Sequence, residues 1–294
     1  MAIYQIGIYL GNASALVIGG VVFTHIQPTA AVILPVLGMM KGWQLVFLLL
    51  GLPGIVLAAV ALTLREPVRQ GAGAKEPSAP MAQFFAQIAR HRRAYLGIML
   101  GFSLMVLVGN GTAVWIPAFL ERSFGWSTAM VGKVYGPIVF LCGAAGALSG
   151  GMVAAWLRRR GYPHGNLLAS LGGFIALVPV TISFPLMPDA YLALALIGAM
   201  NFLAGFNFGG GLATLQELTP NRMRAWMSAT YMLAINLVGA ALGPTAIALV
   251  TDYWFHDPRA LNLAIASVCA VASPLAVLLL WMGMRDYQRI LAQP

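Results

Sequence analysis

Few residues in this chain can do chemistry, and most of those are carboxamides and aromatic side chains in apolar surroundings. Gln5, Asn12, Asn110, Asn201, Asn207 and Asn236, with Tyr4, Tyr9, Tyr135, Tyr231 and Trp115, all lie inside long runs without a formal charge. Groups of this kind give and take hydrogen bonds but hold no charge, so their chemistry is recognition of a polar ligand. Left unpaired in hydrocarbon, each costs about 2 to 7 kcal/mol, so each must face another polar group or a wet cavity. Bonding between helices satisfies them as well as a ligand would, and both roles stand open for every one of them. Asn201 and Asn207 lie roughly 240° apart around a helix, too far to line one narrow face.

Catalytic arrangements do not emerge. His25, His91, His164 and His256 fall between apolar runs or at their ends, and no pair has metal-ligand spacing. Cys142 and Cys269 sit inside apolar runs, which leaves neither a disulfide framework nor a paired zinc motif. Glu217 has no Lys or His beside it to form an acid–base pair and is expected to pair with Arg222 or Arg224. Gly209, Gly210 and Gly211 lack the following Lys-Ser/Thr of a phosphate loop. The expectation is a protein that is not an enzyme and has no cofactor and no metal.

The elements that must position these residues follow from composition. The 294 residues are 60% hydrophobic and 9% charged, against roughly 25% charged in an ordinary globular domain. A soluble fold could not cover its surface with so few charges. Segments free of Asp, Glu, Lys and Arg run Ile3 to Phe23, Trp43 to Leu64, Ala94 to Phe119, Val134 to Leu157, Leu167 to Leu186, Ala190 to Leu215, Ala225 to Val250 and Leu261 to Met284. Each is long enough to cross a core of about 30 Å at 1.5 Å per residue. The fold class is therefore all-α, a polytopic membrane bundle of about eight transmembrane helices. Ala30 to Met40 is apolar but broken by Pro35 and Gly38, and it reads as a loop dipping into the interface.

Charge placement orients the bundle. Thirteen of the 17 basic residues fall on one side, among them Arg65, Arg90, Arg92, Arg93, Arg158 to Arg160, Arg222, Arg224, Arg285 and Arg289. Lys41, Arg122, Lys133 and Arg259 make up the other side. Basic residues collect in cytoplasmic loops, so both termini are expected in the cytoplasm and the chain in an inner (plasma) membrane. The high pI is then a matter of topology, and no nucleic-acid partner is expected. Between the second and third spans, Arg65 to Arg93 is hydrophilic. Phe84, Phe85 and Ile88 recur there at helical spacing beside Arg90, Arg92 and Arg93, as in an amphipathic helix on the inner leaflet.

Small residues recur four apart at Gly7 and Gly11, Gly143 and Ala147, Gly205 and Gly209, and Gly239 and Gly243, a spacing that lets helices approach closely. Pro244 removes a backbone hydrogen bond and is expected to bend its helix. A weak internal repeat pairs the Tyr4 to Gly11 stretch with Tyr231 to Gly239.

Three stretches carry a family resemblance: Ile3 to Gly20 (IYQIGIYLGNASALVIGG), Gly42 to Pro67 (GWQLVFLLLGLPGIVLAAVALTLREP) and Leu215 to Asp252. The last places Pro220, Arg224 and Ala225 before a helix with Asn236-Leu237 and Leu242-Gly243-Pro244. With these the chain resembles the major facilitator superfamily, and within it the spinster-like group. The resemblance implies that the spans correspond to helices five through twelve of a twelve-helix transporter, the first four being absent from this chain. It divides the sequence into 1–64, the end of the amino-terminal half; 65–93, a cytoplasmic linker; and 94–294, the carboxy-terminal half.

A loop motif of the family is degenerate here. Gly150 and Gly151 lead to Arg158, Arg159, Arg160 and Gly161 without the usual Asp, so the arginines read equally as a gate or as an interface anchor. The resemblance further implies alternating-access transport of a small organic or amphipathic, lipid-like substrate, moved with a proton, with membrane lipids as surroundings and no obligate protein partner. The alternatives are a small organic anion as substrate, or a membrane scaffold without transport. Substrate-binding candidates are Tyr4, Asn12, Asn110, Tyr135, Asn207, Tyr231 and Asn236. All eight acidic residues lie outside the spans, and the family's coupling acids belong to helices one and four, so this chain alone is not expected to couple transport to protons.

Overall fold

The computed structural model describes residues 2–25, 31–34, 38–63, 80–207 and 209–291. The linker stretch 65–79 and the side chain of Tyr4 lie outside what is described. Among the described residues the charge-free windows are helical over nearly their whole length, because backbone N–H and C=O groups that lose water in a bilayer must be paired within their own segment. In chain order the helices are α1 (Ala2–His25), α2 (Gly42–Thr63), α3 (Met81–Arg90), α4 (Arg92–Phe124), α5 (Thr128–Arg159), α6 (Gly165–Ser183), α7 (Ala190–Asn207), α8 (Gly210–Leu218), α9 (Arg224–Ala234), α10 (Leu242–Leu249) and α11 (Leu261–Leu291). Among the described residues, seven helical stretches are long and apolar enough to cross a membrane. The 24-residue α1 is long enough to make an eighth.

Several helices overrun their apolar windows. The third span begins at Arg92 and takes in Glu121 and Arg122, the fourth includes Lys133, and the last carries Arg285, Asp286 and Arg289. Near the interface a long charged side chain reaches water while its backbone stays helical. Two spans are irregular. The sixth is interrupted between Asn207 and Gly210, giving α7 and α8. The seventh passes through two π-helical stretches, Ile235–Ala241 and Val250–Phe255, on either side of α10. Pro244 lies in α10 and offers no N–H to the preceding turn, and the wider winding of the first stretch precedes it directly.

One expectation is corrected. The stretch read as a loop at Ala30 to Met40 contains two short strands, β1 (Ala31–Leu34) and β2 (Gly38–Lys41), paired antiparallel with Val32 opposite Met40. Gly38 takes φ +73° as the second strand begins, a conformation that costs glycine little. The apolar run in β1 is too short to span, and pairing satisfies its backbone locally.

Packing follows the small residues. α5 lies along both α1 and α7, and α11 along both α4 and α6. A Cβ on Gly146 would meet the carbonyl oxygen of Phe202, one on Gly150 that of Phe206, and one on Gly205 that of Gly143. Gly243 is as close to Leu107 and Gly111, and Gly132 to Leu16 and Gly20. Among the described residues, a Cβ on Gly7, Gly11 or Gly209 would meet nothing within 4 Å. α2 presents Phe47, Ile55 and Val56 outward, as a helix facing lipid should. α3 docks onto the bundle as well as facing outward: Phe84 is buried and stacks on Trp226 with centroids 6.5 Å apart, while Phe85 is exposed.

Candidate functional site

The candidate residues separate into a buried set and an exposed set. Tyr135 on α5 is 2% exposed and its hydroxyl meets the Asn201 side chain on α7. The two face each other across the same seam that Gly143, Gly146 and Gly205 hold shut. Beside them, Thr112 of α4 reaches the Met200 sulfur at 3.6 Å while bonding its own Val108 carbonyl at 2.7 Å. Three helices thus converge on a polar point in an apolar seam.

Nearer the basic end, Asn207 is 3% exposed and packs against Gly173 of α6, where a Cβ would come within 2.6 Å of its side-chain nitrogen and oxygen. Its Nδ2 donates to Leu203 O at 2.9 Å, and its Oδ1 has no partner. Tyr231 is also buried, and its hydroxyl lies where a side chain on Gly211 would stand. Phe102 fills the adjoining space and packs edge-on to Phe174 at 5.0 Å. The glycines at the α7–α8 break therefore make room for side chains of neighbouring helices, the part played by Gly210 toward Ser170 and by Gly211 toward Tyr231.

Asn12, Asn110 and Asn236 are exposed. The last two lie on elements that touch, since Gly239 of the first π stretch packs on Ser103 and Val106 of α4. Asn236 Nδ2 donates to Met232 O at 2.8 Å, so one of its two N–H groups is used within its own helix. Asn201 does the same with Ile197 O at 2.9 Å. Sequence alone does not show that each of these carboxamides uses an N–H on a carbonyl four residues back. Exposed Leu233 and Leu237 flank Asn236, so this surface mixes carboxamide with hydrocarbon. At the other end of the span, Trp115 Nε1 donates to Pro244 O at 3.0 Å and ties α4 to α10.

A polar cluster at the basic end escaped the sequence reading. Tyr287 Oη of α11 donates to Glu217 Oε2 at 2.6 Å, and Asn166 Nδ2 of α6 donates to Glu217 Oε1 at 2.8 Å. Tyr95 Oη of α4 donates to Leu218 O at 2.9 Å. Arg224, expected beside Glu217, turns instead to the carbonyls of Gln216 and Thr219 at 3.1 and 3.3 Å. The last carbonyls of a helix lack helical N–H donors, and here they take the guanidinium, while the Glu217 carboxylate is already held by Tyr287 and Asn166. The signal available in sequence was Tyr95 and Tyr287, each a polar-tipped aromatic where a span meets charge. In the Arg158 to Gly161 turn, the Arg160 guanidinium lies 4.2 Å over the Trp156 ring, an arrangement of an interface anchor.

Comparison with known proteins adds the wider frame. The family model described as Major Facilitator Superfamily matches residues 1–244. A curated relative named MFS-type efflux pump, from Mycolicibacterium smegmatis, is 25% identical over 98% of this chain and 64% of its own length. A probable L-galactonate transporter from Escherichia coli is 26% identical over 84% of this chain and 57% of its own. The chain thus spans less than two thirds of the length of these relatives. In fold it is similar to crystal structures of a bacterial homologue of the human lysosomal transporter Spinster. The inward-facing unoccupied form gives a TM-score of 0.63 at 20% identity, covering 98% of this chain and 69% of that one. The inward-facing occupied form gives 0.59 at 20% identity, covering 98% and 68%.

Proposed function

The chain belongs to the Major Facilitator Superfamily, and from that membership we propose that it carries the substrate path of a secondary transporter working by alternating access. Its helices are assigned to helices five through twelve of the twelve-helix fold. Residues 1–64 then close the first half, 65–93 link the halves, and 94–294 form the second half. The basic end is assigned to the cytoplasm on the strength of its excess arginines.

The observation that carries this reading is the exposure of Asn12, Asn110 and Asn236 on helices that are otherwise apolar outside. A carboxamide turned to lipid is costly, whereas one turned to a wet path is not. Transport paths of this kind lie near the membrane midplane between two bundles. Exposed leucines beside Asn236 suit an amphipathic solute that brings hydrocarbon as well as a polar head. Tyr135 and Tyr231, with Asn207 and Tyr4, are proposed to line or support the same path. The name of the Escherichia coli relative favours a second reading, a small organic anion. Against it, the described spans turn carboxamides and not guanidinium groups toward the proposed path.

Proton coupling is proposed to need titratable groups beyond those of the described spans, whose acids stand at the helix ends. Uptake into proteoliposomes tests the reading, with a radiolabelled lysophospholipid and a sugar-acid anion each offered to a twelve-helix form carrying this sequence. Protein-dependent uptake of the lysophospholipid is expected. Uptake of the anion alone would replace the amphipathic reading with the second one, and uptake of neither by folded protein would point to a scaffold.

A further inference from the structure

At the basic end, the junction of α3 with α4 meets the last turns of α11, and a cavity of about 350 Å³ opens between them. Arg90, His91, Arg92, Arg93, Asp286 and Arg289 stand around it. Four guanidinium groups thus face one carboxylate. Asp286 is already engaged by Arg289 at 3.4 Å, and among the described residues no carboxylate pairs with Arg90, Arg92 or Arg93. α4, 33 residues long, begins here without a side-chain cap and without an acid in its first turn, its positive end set against the negative ends of α3 and α11, so the field of the pocket comes from its arginines. Like charges gathered at a water-exposed surface repel by up to about 1 kcal/mol per pair at contact, which an anion among them relieves.

The surroundings place the cavity at headgroup depth. Arg285 lies 3.7 Å over the ring of Trp281, and both Trp281 and Phe85 are exposed, an arrangement of aromatic side chains typical of the membrane interface. Just inside, Leu96 and Met282 are exposed beside the seam where Gly97 meets Gly283. The basic concavity therefore adjoins exposed apolar side chains of α4 and α11.

We propose that this pocket binds the phosphate of an anionic phospholipid, with an acyl chain lying along Leu96 and Met282. A free phosphate would meet the same arginines, but in an exposed pocket whose attraction salt screens, and it would leave the adjoining apolar surface uncovered. The lipid satisfies both. Bound there, it would join the docked α3 to the end of α11, two elements that touch different parts of the bundle. The site is independent of the proposed substrate path.

The test is lipid retention by the purified protein from nanodiscs of phosphatidylglycerol and phosphatidylcholine in equal parts, read by native mass spectrometry. Wild-type protein is expected to retain phosphatidylglycerol preferentially. Arg93→Gln and Arg289→Gln should each lower that retention about fivefold, and together roughly 25-fold, as expected for surface arginines near anionic lipid. Arg259→Gln, at the opposite end, should leave it unchanged. Should a variant fail to fold, the wild-type salt series decides: 0.5 M NaCl should release phosphatidylglycerol and spare phosphatidylcholine. Equal retention of the two lipids by wild type, or wild-type retention by the folded double variant, overturns the proposal. Displacement of the lipid by millimolar inorganic phosphate would show instead that the site takes a free anion.

Discussion

Gly146→Ala isolates the seam on which the buried candidate residues depend. A Cβ at Gly146 would fall on the Phe202 carbonyl oxygen, with Phe202 C at 2.8 Å and Phe206 N at 3.0 Å. All three are backbone atoms of α7, so no rotamer change can relieve the clash and the helices must part. Overpacking of this kind costs about 1 to 3 kcal/mol, offset by the 0.5 to 1 kcal/mol or so that alanine gains over glycine in a helix. The net loss of about 0 to 2.5 kcal/mol corresponds to a Tm lower by up to roughly 10 °C at about 2 to 4 °C per kcal/mol. Gly151 is the internal control: it lies on the same helix, and a Cβ there meets nothing within 4 Å. Gly151→Ala should leave Tm unchanged or raise it by up to about 4 °C. Thermal unfolding in detergent, followed by fluorescence-detected size exclusion, measures both. Equal melting of the two variants would refute the claim that backbone contact at this seam holds α5 to α7.

Parallel outcomes are expected elsewhere. Tyr287→Phe removes the 2.6 Å donor to Glu217 and should cost about 1 kcal/mol, read as a lower melting temperature; an unchanged melt would show the cluster to be incidental. A cysteine placed at Arg159 should resist an impermeant thiol reagent applied outside sealed cells, and labelling there would reverse the orientation drawn from the basic residues. Asn236→Leu and Tyr135→Ala, in a transport-competent form, should weaken uptake while leaving membrane insertion intact. Wild-type uptake by both would return them to helix packing.

The helices were legible because a bilayer penalises buried charge so strongly that charge-free windows alone mark the spans. Their ends were less so: Arg92, Lys133 and Arg285 are helical because hydropathy reports where lipid ends and not where the backbone stops winding. The hairpin at Ala31–Leu34 and Gly38–Lys41 was missed because Pro35 and Gly38 signal a break without saying what lies on either side. Nothing in residue type distinguishes an i→i+4 from an i→i+5 turn, so the π stretches around Pro244 could not be read. Carboxamides at membrane depth were found readily, but not their division. Asn207 is buried against Gly173 of a neighbouring helix while Asn110 and Asn236 are exposed, a difference that depends on packing between segments distant in sequence. Glu217 illustrates the same limit, since its partners Tyr287 and Asn166 are 70 and 51 residues away in sequence.

The central claim is that the exposed polar face of α4 and the first π stretch borders a water-filled path. Cysteine accessibility tests it most directly, using Asn110→Cys, Asn236→Cys and Val271→Cys in a twelve-helix form with Cys142 and Cys269 replaced by serine. Val271 is exposed on α11 among apolar side chains and serves as the comparison for a face proposed to meet lipid. A small hydrophilic thiol reagent should modify the cysteines at positions 110 and 236, substrate should slow that reaction, and the cysteine at 271 should stay unreactive. Reaction at 110 and 236 as slow as at 271, in folded and inserted protein, would contradict the account.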